Sequence, residues 1–352
     1  MNSSVSAGRP RFDSVLDITN QRRSQADDAR VRHIIDLIKA PPSIQVTRTL
    51  TEKQFEQLLG ALENPENGKL RPHLDGFRFD YTRSKKQFEI RIPTTMQGGI
   101  EDFIKEGTFQ WINRLKQSND ANISNAAKTI VPSGHANVRL PYPEGPSDTK
   151  SPDWNIRHKM CESRCTYPTL VMELEWARGK KDLQAKAEAY ICGTQGKIRT
   201  VVGILMHDIY LAERKNEKKL RELYLAEGVH ATGLYSYCKN DTNKAGQVSL
   251  LVWRKKIQQN GSVQAECVQD EVFRDKMGNP AQLVSLRLVL QDFICESLAG
   301  NFQAPELKIS SEDLCASIDE ILMRYRQERD AVVKEKARKE RNVSRRKQAR
   351  SR

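Results

Sequence analysis

Ser151-Pro152-Asp153, followed twenty residues later by Val171-Met172-Glu173-Leu174-Glu175, is the stretch that decides how this 352-residue chain folds. The second segment is apolar until it reaches its carboxylates, which is the pattern of a buried strand delivering acids to a sheet edge. An isolated Pro-Asp at that distance can bring another carboxylate to the same edge. Hard cations such as Mg²⁺ take oxygen ligands, usually one or two carboxylates with water and phosphate. A metal held in this way activates water and stabilises a phosphodiester under attack. The pattern points to nucleic-acid cleavage, or to a domain descended from it.

The flanking sequence supplies the rest of a layered core. Between Asp27 and Lys39, Val31, Ile34, Ile35 and Ile38 recur at helical spacing until Pro41-Pro42 stops them. Thr51 to Leu62 repeats the pattern. Phe77–Tyr81 and Gln87–Ile92 alternate around Arg83-Ser-Lys-Lys86 and predict a β-hairpin. Ile100 to Lys116 carries one apolar stripe and Glu101 in its first turn, residues 118–134 read as a polar insertion, and Asn137–Leu140 as a strand. Tyr142 to Ser151 reads as a loop that delivers Asp153, and Trp154–Arg157 as a short strand. Lys181–Cys192 predicts an amphipathic helix between the strand Tyr167–Trp176 and the apolar run Ile198–Leu205. Strand, helix, strand with a continuously apolar last member predicts a parallel pair. Gln247–Lys255 is expected to pair with Ala265–Phe273, and Leu283–Cys295 to form an apolar helix. Ser310-Ser311-Glu312-Asp313 caps a final helix that runs into the basic C-terminus.

Composition narrows the partners. The formal charge is +13, and residues 324–352 hold thirteen Lys and Arg against four acids, so most of the excess lies in the tail. Lys334, Lys336, Arg338, Lys339, Arg345, Arg346 and Lys347 have the density of a phosphate-binding arm or a nuclear-import signal. No run of about 18 apolar residues is present, and Met1-Asn-Ser-Ser-Val lacks the regions of a signal peptide. An intracellular, nuclear protein with no membrane contact is expected, its partner a nucleic acid, DNA in the first place. The apolar stripe after Ser310 is too short for a dimeric coiled coil, and it fades as the basic run begins, so the last turns are expected to be solvated.

The seven cysteines are odd in number and mostly far apart, which favours reduced thiols. Cys161 and Cys165 have only His158 beside them, which leaves a zinc site short of ligands, so zinc is not expected. The glycines at 98–99, 196 and 203 do not open a helix after a strand at the spacing of a nucleotide-binding loop. Trp154, Trp176 and Trp253 read as core residues rather than stacking platforms.

Taken together, the helix with Glu101, the hairpin, Pro152-Asp153, Glu173, the helix ending Ala189-Tyr190-Ile191 and Arg199–Ile204 resemble the PD-(D/E)XK, restriction-endonuclease-like superfamily. More narrowly, the chain is similar to a group of uncharacterised fungal proteins of that fold. Its counterparts of their motifs are Ser151-Pro152-Asp153, Glu173, Ala187–Ile191, Ile198–Gly203, Trp253-Arg254 and Phe273-Arg274-Asp275. The resemblance covers about residues 75–295. It implies an α/β fold whose mixed central sheet is flanked by helices, over 75–300, after a disordered lead (1–26) and a helical extension (27–74), and before the helical tail (310–352). It also implies Mg²⁺ or Mn²⁺ on Asp153 and Glu173, with Glu101 as an outer ligand.

The motif lysine two residues after the strand glutamate is Glu175 here, and Ala177-Arg178-Gly179 replaces the Ser-Gln-Lys common in the relatives. Three explanations stand: a lysine supplied from elsewhere, Glu175 as ligand to a second metal, or a dead site. Glu175 shares the parity of Glu173 and therefore its face of the strand. Lys186, inside the following helix, is the first candidate for a migrated lysine, ahead of Lys181 and Lys180. The expected activity is metal-dependent hydrolysis of DNA; the alternative is an inert nuclease fold that binds nucleic acid or assembles with partners.

Overall fold

A computed structural model of the chain describes residues 29–39, 46–63, 77–142, 145–159, 165–227, 246–298 and 303–351. The proposed lead over 1–26, Cys161 and Cys238 lie outside the described residues. The chain is mixed α/β and divides into two compact units, Met1–Ile92 and Pro93–Arg352. The boundary falls after the predicted hairpin rather than at residue 75, so the hairpin belongs to the N-terminal unit.

That unit builds a three-stranded antiparallel ladder. Strand β1 (Val46–Thr49) pairs with β3 (Gln87–Arg91), which pairs with β2 (Arg78–Thr82). Helices α1 (29–39) and α2 (Glu52–Glu63) accompany it. Their apolar stripes bury Ile34, Ile38, Phe55 and Leu58 in one core with Phe79, Tyr81 and Phe88 of the strands. The Phe55 and Tyr81 rings stack 3.9 Å apart, and the Tyr81 hydroxyl donates to the Leu50 carbonyl at 3.2 Å. Strand β1 adds an element where only helices were predicted.

In the C-terminal unit, α3 (Thr95–Lys116) starts at a capping box made by Thr94 and Gln97. The polar stretch after it is no insertion. Asp120 caps α4 (Ala121–Thr129), which leads into β4 (Ile130–Gly134). Ile123, Ser124, Ala126, Ala127 and Thr129 are buried while Asn122, Asn125 and Lys128 face out, and small residues of this kind leave a weak apolar signal. Strand β5 (Val138–Tyr142) pairs with β6 (Gly145–Lys150), so the predicted 142–151 loop is largely the second arm of a hairpin.

Six strands form the main sheet, in the order β11-β10-β9-β8-β7-β4. They are β4, β7 (Trp154–His158), β8 (Leu170–Glu175), β9 (Thr200–Leu205), β10 (Val248–Ile257) and β11 (Val263–Arg274). The β8–β9 pair is parallel, as the strand, helix, strand pattern predicts, and the other pairs are antiparallel. Alternation sorts the faces. Trp154, Ile156, Met172, Leu174, Val202, Ile204, Leu250 and Val252 bury into one core with α3 and α4. Val171, Val201, Leu251 and Trp253 bury into another with α5 (Lys180–Gly193).

Leu283–Cys295 is not a helix. Leu286 and Leu288 are buried and Arg287 is exposed, a two-residue period satisfied as β12 (Ser285–Leu288) against β13 (Leu307–Ser310), followed by a 3₁₀ turn at Leu290–Asp292. Helix α6 (His207–Glu227) follows β9 where no element was predicted. The C-terminal helix α7 (Ser311–Arg350) packs on α6 further than its sequence suggests: Val333 and Ala337 are buried with Leu220 and Tyr224. Arg326 reaches Glu213 at 2.6 Å and Asp330 accepts from the Tyr224 hydroxyl at 2.6 Å. Residues 342–349 are exposed, as expected of the last turns. Among the described residues, no helix is long and apolar enough to cross a membrane.

One glycine sets how closely α5 approaches the sheet. A Cβ on Gly203 would lie 2.8 Å from a Leu183 methyl and 2.9 Å from the Trp253 ring, both fully packed. Overpacking of this kind costs about 1–3 kcal/mol. The Gly203→Ala variant is expected to lose that much stability, read as a lower urea midpoint with an unchanged slope.

Candidate functional site

Strand β8 presents Val171, Glu173 and Glu175 to the α5 side of the sheet, because Met172 and Leu174 turn to the other core. The β7–β8 register pairs Trp154 with Met172. Continued by one residue, it sets Asp153 opposite Glu173. Since Trp154 and Ile156 face the α3 core, Asp153 has the parity of the α5 side as well. Asp153 Oδ2 accepts the amide hydrogen of Leu174 at 2.5 Å, which ties the loop carboxylate to the strand beside Glu173.

Helix α5 completes the cluster. Leu183, Ala187 and Ile191 recur at i, i+4 and i+8 and bury into the core. That orientation brings Lys186 and Tyr190, themselves four apart and so on one face, over β8. Lys186 Nζ lies 2.8 Å from Glu173 Oε2 and 3.3 Å from Glu175 Oε2. The Tyr190 hydroxyl donates to Glu173 Oε1 at 2.7 Å, and Glu175 Oε1 accepts the Arg178 amide at 3.0 Å. Of the three lysines that the sequence offers, Lys186, ranked first, is the one brought to these carboxylates. Lys181 is not brought in: it is exposed on the first turn of α5, and no contact joins it to these carboxylates. Lys180 pairs instead with Asp270 of β11.

Glu101 enters from α3, bound to Lys105 one turn on, and its Oε1 lies 3.7 Å from His135 Nε2. His135 Nδ1 sits 2.5 Å from the Asp153 carbonyl oxygen, so the imidazole links Glu101 to the Asp153 backbone. Sequence reasoning missed Lys105, His135 and Tyr190. Tyr190 was legible as the i+4 neighbour of Lys186; His135 follows a segment read as an insertion and carried no signal.

Asp153, Glu173 and Glu101 are 1%, 0% and 2% exposed, and Glu175 is 6% exposed. Carboxylates at this depth are costly unless cations and donors meet them. Their donors here are two lysines, a tyrosine hydroxyl and backbone amides. The cluster offers only oxygen ligands, the set that Mg²⁺ and Mn²⁺ prefer, and a carboxylate that accepts one or two hydrogen bonds keeps lone pairs for a cation.

The seven basic tail residues lie elsewhere, on α7. Lys334 is half-buried; Lys336, Arg338, Arg345, Arg346 and Lys347 are exposed. Lys339 is exposed and lies 3.5 Å from Glu335. Trp154, Trp176 and Trp253 are buried, as expected of core residues.

Comparison of the chain with protein-family models, with curated proteins and with solved structures finds no match.

Removing Lys186 alone would leave Glu173 buried without its cation, a loss of about 3–5 kcal/mol for such pairs. In chelator, Lys186→Met is expected to fall in this range by urea denaturation, and the double variant Lys186→Met, Glu173→Leu to recover most of it. An unchanged midpoint in the single variant would mean that the ion pair does not form.

Proposed function

We propose that this chain is a metal-dependent phosphodiesterase of the restriction-endonuclease-like type, acting on DNA. One observation carries the reading: Asp153 and Glu173 share a face of the sheet at two neighbouring inner strands, and the following helix sets Lys186 between Glu173 and Glu175. The lysine absent from the strand motif is thereby available from α5. The parallel β8–β9 pair with α5 over it gives further support.

Asp153 and Glu173 would hold Mg²⁺ or Mn²⁺, with Glu101 or Glu175 assisting. An ion held there would supply Lewis acidity towards water and phosphate oxygen. Lys186 Nζ donates towards a water in line with the scissile bond and holds positive charge where the phosphate gains negative charge. Tyr190 fixes the Glu173 rotamer through its hydroxyl. The exposed cations of α7 would attract the DNA backbone independently of sequence. Their density also supports an intracellular protein that enters the nucleus.

A second function, an inert nuclease fold that binds nucleic acid, is favoured by the near-complete burial of the four carboxylates and by the two contacts Lys186 already makes with them.

Supercoiled plasmid incubated with the protein and Mg²⁺ or Mn²⁺ separates the two. Nicking is expected from the wild type and a loss of at least ~100-fold from Asp153→Asn and Glu173→Gln, with folding checked by circular dichroism. Equal cleavage by all three would place the chemistry elsewhere. Salt-sensitive plasmid retention with no cleavage would establish the inert binder.

A further inference from the structure

The far end of β7 carries a second cluster. His158 closes the strand, Cys165 lies in the connection to β8, and Cys295 follows the 3₁₀ turn at Leu290–Asp292. One ring nitrogen of His158 and the two sulfurs all lie within 4.8 Å of one another. Cys165 and Cys295 are thiols, not a disulfide.

His158 is 6% exposed, and among the described residues neither of its ring nitrogens has a hydrogen-bond partner. An imidazole buried in that state forfeits the hydrogen bonds that water would give it. A disulfide between the cysteines would leave this loss in place. A metal bound by the ring would remove it at one of the two nitrogens. Burial, and then the charge of Arg199, push the imidazole below its usual range.

We propose that His158, Cys165 and Cys295 bind a zinc ion that ties the end of β7 to the β7–β8 connection and to the segment after β12. Thiolate and imidazole are the ligand types zinc selects. Two thiolates with Zn²⁺ are neutral overall, which suits a site with two buried members. Tetrahedral bonds of roughly 2.0–2.3 Å put ligand atoms about 3.4–3.8 Å apart, so the cluster needs to close by no more than ~1.5 Å. Solvent takes the fourth position.

The three segments are already pinned around the cluster. The Lys159 amide donates to the Thr129 carbonyl at 2.8 Å, and Arg157 Nη1 to the Thr166 carbonyl at 2.9 Å. The Thr169 hydroxyl donates to the Phe293 carbonyl at 2.8 Å, and Arg199 Nη1 to the Ile294 carbonyl at 3.4 Å. Ligands on a framework fixed in this way lose little freedom when they close on an ion.

Elemental analysis of the purified full-length protein tests the assignment. One zinc per chain is expected, lost in Cys165→Ser and Cys295→Ser and kept in Cys192→Ser and Cys267→Ser, whose sulfurs are exposed and outside the cluster. Because Cys165 is exposed, its variant is expected to fold, and circular dichroism checks this. Chelator-treated wild type reloaded with Co²⁺ should show thiolate-to-cobalt charge-transfer absorption that His158→Gln weakens or abolishes. The proposal is overturned by wild type that holds no zinc and gives no cobalt–thiolate band, by zinc retained in the Cys165→Ser, Cys295→Ser double variant, or by peptide mapping that finds Cys165 bonded to Cys295.

Discussion

Glu173 is wholly removed from water, and its carboxylate is the constraint around which this part of the sheet is organised. A buried carboxylate requires a nearby cation and donors on both oxygens. Lys186 meets one oxygen and Tyr190 the other, and both come from a single face of α5. The helix can hold them there only because Gly203, paired with Glu173 across the parallel register, leaves room for Leu183 above the strand. The small residue, the helix phase and the acid are parts of one arrangement, and Asp153 joins it through the Leu174 amide.

The site was legible in the sequence to the extent that period-two alternation and helical spacing determine direction. Glu173 and Glu175 share parity, and the interior position of Lys186 in a helix packed on the strand directs it back to the carboxylates. Lys181, closer in sequence, is carried away by helix phase. Contacts that depend on distant segments could not be read. His135 reaches Glu101 only because a stretch of small and polar residues folds as α4 and β4. The segment Leu283–Cys295 is apolar enough for a helix, but pairing with β13 decides it as a strand. Zinc was not expected for the same reason: His158 and Cys165 alone fall short of a ligand set, and Cys295 is far from them in the sequence and close only in the fold.

The two candidate sites divide β7 between them. Asp153 precedes the strand and His158 ends it, roughly 16 Å apart at ~3.3 Å per residue. One end offers oxygen ligands suited to a hard cation, the other sulfur and nitrogen suited to zinc. The separation lets either site be altered without direct contact with the other. A metal at the His158 end would hold the β7–β8 connection, and through it the strand that carries Glu173.

A crystal of the protein grown with Mn²⁺ and examined by anomalous diffraction tests the central claim most directly. The account predicts an anomalous peak bonded to carboxylate oxygens of Asp153 and Glu173, with Lys186 displaced from Glu173 towards solvent or substrate. Lys186 still bonded to Glu173 and Glu175, with no peak between Asp153 and Glu173, would contradict it.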